Sequence, residues 1–174
     1  MSRSPVPDRP IMLHRHRLSG HSHRVQLFLS LLRLPFEMIE VDLPARAHKS
    51  EGFLAMNPFG QVPVIEDGDL VLADSSAILL YLASRYDASR RWYPEGPVEQ
   101  ARIQRWLTVA AGQLVNGPAA ARLVQVFGAR IDHGRAKAIA AALFEILDKE
   151  LDGRLFVVGD CPTMSLTSQV VRRP

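Results

Sequence analysis

Asn57-Pro58-Phe59-Gly60-Gln61-Val62-Pro63 runs into two short apolar segments and comes out at Asp74-Ser75-Ser76-Ala77-Ile78. The apolar segments, Val62 to Glu66 and Leu70 to Ala73, flank Asp67-Gly68-Asp69. Asp-Gly between such runs signals a hairpin, because glycine accepts the positive φ of a tight turn. A proline that starts a strand has no N–H for the sheet ladder. A cis Val62-Pro63 bond would turn the backbone so that Val62 offers its own N–H and C=O to a ligand. A peptide would then pair with it as an added strand. Ser75 to Tyr86 reads as a helix, with Ile78, Leu79, Leu82 and Tyr86 on one face. Free N–H groups at its start favour a bound carboxylate. Taken singly, Ser75 fits a plain N-cap and Asp74 a charge near the helix dipole. Together with the Val-Pro turn they mark a site for a short peptide carrying a carboxylate.

Upstream, Ile11 to His16 alternates as a short strand, with Ile11 and Leu13 on one face. Val25, Phe28, Leu29, Leu31 and Leu32 recur at helical spacing up to Leu34, where Pro35 ends the helix. Phe36 to Val41 reads as a second strand, so the unit is βαβ and its strands should be parallel. Asp42 to Ser50 is a polar loop before a short helix, Glu51 to Met56. The order β-α-β, then β-β-α, is a thioredoxin-like arrangement.

Downstream, Asp87 to Pro97 is a linker, and the pattern beyond it is helical. Glu99 to Asn116 has an apolar face of Ile103, Trp106, Leu107, Ala110 and Leu114, and Gly117-Pro118 should interrupt it. Ala119 to Phe127 is a further helix. Gly134 to Leu151 is another, with Ile139, Leu143, Ile146 and Leu147 inward and Gly153 as its stop. The fold class is thus an α/β thioredoxin-like domain followed by an all-α domain.

Composition agrees with a globular protein: 47% hydrophobic and 22% charged residues over 174 positions. The net charge of +3 comes from scattered arginines, not the dense basic stripe of a nucleic-acid binder. The one cysteine, Cys161, leaves no internal disulfide framework and suits a reducing compartment. No apolar run is long enough to cross a bilayer, and the first ten residues read as a short flexible leader without an apolar core. We expect a cytoplasmic protein that binds neither nucleic acid nor membrane.

Residues 11–87 resemble the N-terminal domain of glutathione S-transferases, on the strength of the Asn-Pro-x-Gly-x-Val-Pro and acidic-Ser-x-Ala-Ile motifs. Residues 97–162 resemble the family's helical second domain. The resemblance implies glutathione as co-substrate. It makes Pro63 the cis-proline and Val62 the main-chain partner of the cysteinyl unit. Asp74 and Ser75 would hold the γ-glutamyl end, and His48 or Lys49 the glycine carboxylate, with Gln61 also in reach. Ser19-Gly20-His21-Ser22-His23-Arg24-Val25 resembles the serine-type loop of the theta, zeta and related bacterial classes. Ser19 best matches the catalytic serine, with Ser22 second, and Ser22 is expected to cap the helix that begins near His21.

The physics of such a site is direct. Glutathione's thiol is a poor nucleophile until deprotonated. A hydroxyl donor and a helix N-terminus both favour the thiolate, by about 1 kcal/mol each or somewhat more. The implied reaction is attack on a small hydrophobic electrophile, a detoxifying conjugation, in a homodimer. A binding module without turnover, or glutathione-dependent reduction, isomerisation or dehalogenation, would use the same site. Trp106 is a secondary candidate for the electrophile pocket. His14, His16, His21 and His23 have no carboxylate or cysteine at ligand spacing, so no metal is expected.

Gly159-Asp160-Cys161-Pro162-Thr163 resembles a family turn that leads into a capping box, but Leu166 stands at the expected acidic position. The expectation is a chain cut short, with a divergent tail over 163–174. Uncovered apolar faces on the Glu99 and Gly134 helices would then leave it marginally stable.

Overall fold

The computed structural model describes residues 5–165. The first four residues of the expected leader, Leu166 and the rest of the tail lie outside the described residues. The chain divides into two compact units, Met1–Tyr93 and Pro94–Pro174.

In the first unit, β1 (Ile11–Arg15), α1 (Gly20–Leu31) and β2 (Phe36–Glu40) are followed by a 3-10 turn (Ala47–Lys49) and α2 (Glu51–Met56). Then come β3 (Val64–Asp67), β4 (Leu70–Ala73) and α3 (Ser75–Tyr86). The sheet order is β2-β1-β3-β4. β1 and β2 are parallel from Ile11↔Phe36 to Arg15↔Glu40, as a βαβ unit requires. β3 is antiparallel to β1, with Leu13 opposite Ile65, and to β4, with Val64 opposite Ala73. The hairpin closes on Gly68 and Asp69, with Gly68 at φ +62.

Strand alternation divides the core between the two faces of the sheet. Ile11, Leu13 and Ile65 share one face, and with Phe28 and Leu29 of α1 and Ile78, Leu79 and Leu82 of α3 they are wholly buried. On the other face Val64 packs with Val41 and with Phe53 of α2. This is the thioredoxin-like arrangement. One boundary differs: α1 ends at Leu31, before Pro35, because Arg33 takes a left-handed φ of 55.

The second unit holds α4 (Pro97–Val109), a π-helical segment (Ala110–Ala119), α5 (Ala120–Phe127) and α6 (His133–Glu150). The expected break at Gly117-Pro118 does not occur. The wider π turn carries the chain past Pro118, and the Ala120 N–H reaches back to the Val115 carbonyl. Gly117 serves packing instead: a Cβ there would lie 2.9 Å from the Ala140 N of α6. On α6, Asp132 caps the start by accepting from the Arg135 N–H, and Leu143 is buried with Ala136 and Ala140. Ile146, expected inward, is 43% exposed, because the small residues Ala136 and Ala140 make the contact face. Met164, assigned to a divergent tail, is wholly buried. No helix among the described residues is long and apolar enough to cross a membrane.

Candidate functional site

One end of the sheet gathers the candidate residues. β3 runs antiparallel to both neighbours, so the C-terminal ends of β1 and β4 lie beside the N-terminal end of β3. Ser19 follows β1, Val62-Pro63 precedes β3 and Asp74 follows β4.

The Val62-Pro63 peptide bond is cis. Among the described residues, neither the N–H nor the C=O of Val62 has a hydrogen-bond partner. The loop before it is shaped by buried Asn57, whose amide donates to the Gln61 carbonyl at 2.8 Å. The Asn57 Oδ1 accepts from the Phe59 N–H at 3.1 Å. Gly60 sits at φ +59, and a Cβ there would fall 2.6 Å from Lys49 Nζ and 2.7 Å from the His48 carbonyl. Glycine is therefore required where this loop meets the 3-10 turn. Lys49 donates to the Phe59 carbonyl at 3.1 Å. The His48 Nδ1 is buried without a partner, and desolvation, then Lys49 and Arg46, lower its pKa. Gln61 is exposed.

At the start of α3, Asp74 adopts φ 70 and ψ 121, and its carboxylate accepts from the Ser76 and Ala77 N–H groups. The expected free N–H groups are thus mostly taken by the chain's own carboxylate. The Ser75 N–H is the one left without a partner among the described residues. Ser75 itself is buried. Its Oγ lies 2.9 Å from His21 Nδ1 and accepts from Arg24 Nη1 at 3.3 Å.

Arg24 was not singled out by sequence reasoning. It is 5% exposed, its Nη1 also reaches Ser76 Oγ at 3.4 Å, and its Nε and Nη2 have no partner. Burial lowers its pKa to about 10 while Asp74 opposes the shift, so it remains a cation at neutral pH. The available signal was an arginine four residues before Phe28, on the helix face that carries the core. Burial and Arg24 lower the His21 pKa, with Asp74 acting in the opposite sense.

At the start of α1, Ser19 is the N-cap: its Oγ accepts from the Ser22 N–H at 3.2 Å. The expected cap, Ser22, is instead inside the helix and fully buried, with its Oγ accepting from the His16 N–H. The helix starts one residue earlier than the spacing suggested, at Gly20, because the Ser19 N–H turns back to the His16 carbonyl. Half-buried Ser19 keeps its hydroxyl proton for another partner.

The histidines go to separate neighbours. His14 contacts Glu66 at 2.6 Å, and His16 Nδ1 lies 3.2 Å from both the Val41 carbonyl and Glu40. No group of three or more His, Cys, Asp or Glu that could hold a metal occurs among the described residues. Trp106 is buried in the helical unit, with Arg105 over its ring, and Cys161 is exposed.

Residues 18–85 match the family described as glutathione S-transferase, N-terminal domain. Human glutathione S-transferase theta-2 is 32% identical over 157 residues, 85% of this chain and 64% of that protein. The chain thus spans slightly less than two thirds of that relative. A Bombyx mori glutathione transferase superposes with a TM-score of 0.83 at 27% identity, covering 94% of this chain and 76% of the other. A Drosophila mojavensis glutathione transferase homolog with bound glutathione also superposes at 0.83, with 26% identity over 91% of this chain and 74% of that one.

Proposed function

We propose that the chain, whose residues 18–85 match the glutathione S-transferase N-terminal domain, is a member of that family and conjugates the thiol of glutathione to small hydrophobic electrophiles. The carrying observation is the cis Val62-Pro63 turn with its unpaired main chain, beside the start of α3 at the same sheet end. That pairing offers an extended peptide both a backbone partner and a carboxylate position.

In this reading Ser19 is the catalytic residue. Its hydroxyl proton donates to the thiolate, and the α1 N-terminus adds its dipole. Together they lower the thiol pKa by about one to two units, which places more thiolate at neutral pH. The serine stabilises a bound nucleophile and forms no bond itself. Ser22 supports the turn beneath it. Val62 pairs with the cysteinyl unit, with Pro63 fixing the turn. Asp74 takes the ammonium and Ser75 the carboxylate of the γ-glutamyl end. His48, Lys49 and Gln61 serve the glycine end. Trp106 belongs to the helical domain, which would select the electrophile.

We place the glutathione-binding domain at 11–87 and the helical domain at 97–162, and propose a cytoplasmic homodimer acting in detoxification. Exposed apolar side chains such as Val126, Phe127, Ile131 and Ile146 in the helical unit support association.

Retention on immobilised glutathione, with release by free glutathione, tests binding. Conjugation of a chromogenic aryl halide tests turnover, and Ser19→Ala should lower it by about tenfold to a hundredfold while retention persists. Failure of the unmodified protein to be retained, or full activity of Ser19→Ala, would refute the reading.

A further inference from the structure

A serine hydroxyl has one proton and two lone pairs, so it cannot meet every neighbour in the same role. At Ser75 one lone pair is filled by Arg24 Nη1, since a guanidinium only donates. His21 Nδ1, 2.9 Å away, decides the rest. A bare Nδ1 takes the hydroxyl proton and leaves Ser75 with a lone pair for any newcomer, which a carboxylate cannot use. A protonated Nδ1 donates instead, fills the second lone pair and frees the hydroxyl proton. From this geometry we infer that His21 is a positioning residue for the γ-glutamyl carboxylate: with a proton on Nδ1 it makes Ser75 a donor, and the imidazolium, which holds that proton whatever the tautomer of the neutral ring, is the form that the bound carboxylate favours.

The inference rests on the glutathione reading of this site and adds the proton to it. Two observations about the surroundings support an anion here. Asp74 consumes the Ser76 and Ala77 N–H groups, so the Ser75 N–H and hydroxyl are the donors left at the start of α3. Behind them Arg24 is buried with two unpartnered nitrogens and no carboxylate within salt-bridge reach among the described residues. A carboxylate bound at Ser75 supplies the missing counter-charge.

The charged groups acting on His21 are Arg24 from its own helix and Asp74 from the start of α3. In the free protein burial and Arg24 outweigh Asp74 and hold His21 below its ordinary 6.5, hence neutral at pH 7. A bound carboxylate opposes Arg24 and raises the value. The sign follows: affinity climbs as pH falls through the bound-state pKa and levels off below the free-state pKa.

Calorimetric titration with S-methylglutathione tests this, because that ligand lacks the thiol and has no group that titrates between about pH 5.5 and 7.5. The full chain should bind about threefold to tenfold more tightly at the lower pH, with proton uptake revealed by buffers of different ionisation enthalpy. His21→Asn, whose amide can donate to Ser75 at every pH, should lose the His21 share of the pH dependence and proton uptake, leaving at most that of His48 at the glycine end. His21→Leu removes the competing acceptor and leaves the Ser75 hydroxyl proton free for the ligand, so it should bind without the His21 proton uptake. Binding by the unmodified chain without uptake, or uptake undiminished in His21→Asn, would overturn the role of His21 alone. Absence of binding at every pH would overturn the glutathione reading and this inference with it.

Discussion

Two helix starts meet at the candidate site, and they are built in opposite ways. α1 begins at Ser19, a neutral cap in relaxed extended geometry, φ −79 and ψ 119, that satisfies one N–H. α3 begins at Asp74, a charged cap at φ 70 that satisfies two. The difference sorts charge. A neutral cap leaves the positive end of the α1 dipole uncompensated, which suits a thiolate. A carboxylate cap compensates α3 and places a negative group beside the donors of Ser75 and the buried cation of Arg24. Negative and positive groups side by side suit a zwitterion, such as the amino-acid end of a γ-glutamyl peptide. Strain at Asp74 accompanies that arrangement, and strained backbone costing about 1–3 kcal/mol concentrates at functional sites.

The largest expected effect comes from giving α1 the cap of α3. Ser19→Asp keeps an oxygen for the Ser22 N–H, so the folded protein should unfold within a few tenths of a kcal/mol of the original. It also puts a carboxylate where the thiolate must form. Two like charges about 4 Å apart near a surface repel by roughly 4 kcal/mol. Conjugation should therefore fall well beyond the loss in Ser19→Ala, by about a hundredfold or more. Equal rates in the two variants would show that the neutrality of the cap is irrelevant.

Next in size is Arg24, the charge behind the α3 start. Arg24→Met fills similar volume and removes two buried donors that lack partners. An unsatisfied buried donor costs about 1–3 kcal/mol, so the ligand-free variant should be more stable in urea by about 1 kcal/mol. Glutathione affinity should fall about tenfold, because the bound carboxylate loses its counter-charge. A variant that is less stable and binds normally would make Arg24 a structural residue only.

These two helix starts also mark the limit of what the sequence discloses. The β-α-β and β-β-α order was legible because Pro35, Asp67-Gly68 and the apolar periodicities are local signals. The cis Val62-Pro63 bond was legible only through the family resemblance, since local sequence marks a proline at a strand start but not its isomer. Which serine caps α1 was not, because Ser19 and Ser22 both precede a helical pattern and the choice depends on the backbone bond from Ser19 to His16. Arg24 and His21 meet Ser75 across 51 and 54 positions of chain, contacts that no local pattern encodes. Gly117-Pro118 misled because its local meaning, a break, is overridden by packing against α6 and a π turn. Local chemistry thus specified the elements, while long-range contacts assigned the roles.

The smallest effects test the comparison most finely, because they should differ in sign. Glycine at an N-cap costs only a few tenths of a kcal/mol relative to serine or aspartate. At Ser19, with φ at −79, glycine relieves no strain, so Ser19→Gly should destabilise by those few tenths. At Asp74, φ 70 is strained for any residue with a Cβ and open to glycine. Asp74→Gly loses the cap and the dipole interaction of an exposed charge, about 0.5–1.5 kcal/mol in all. It recovers strain of about 1–3 kcal/mol. The net change is stabilising by about 1 kcal/mol, even as the ammonium partner is lost and glutathione binding weakens. Urea unfolding can be followed through Trp92, whose ring meets Phe28 of α1 edge-on at 5.4 Å. A fall in stability at both positions would mean that Asp74 holds its backbone at no cost, and that the two caps differ in charge alone.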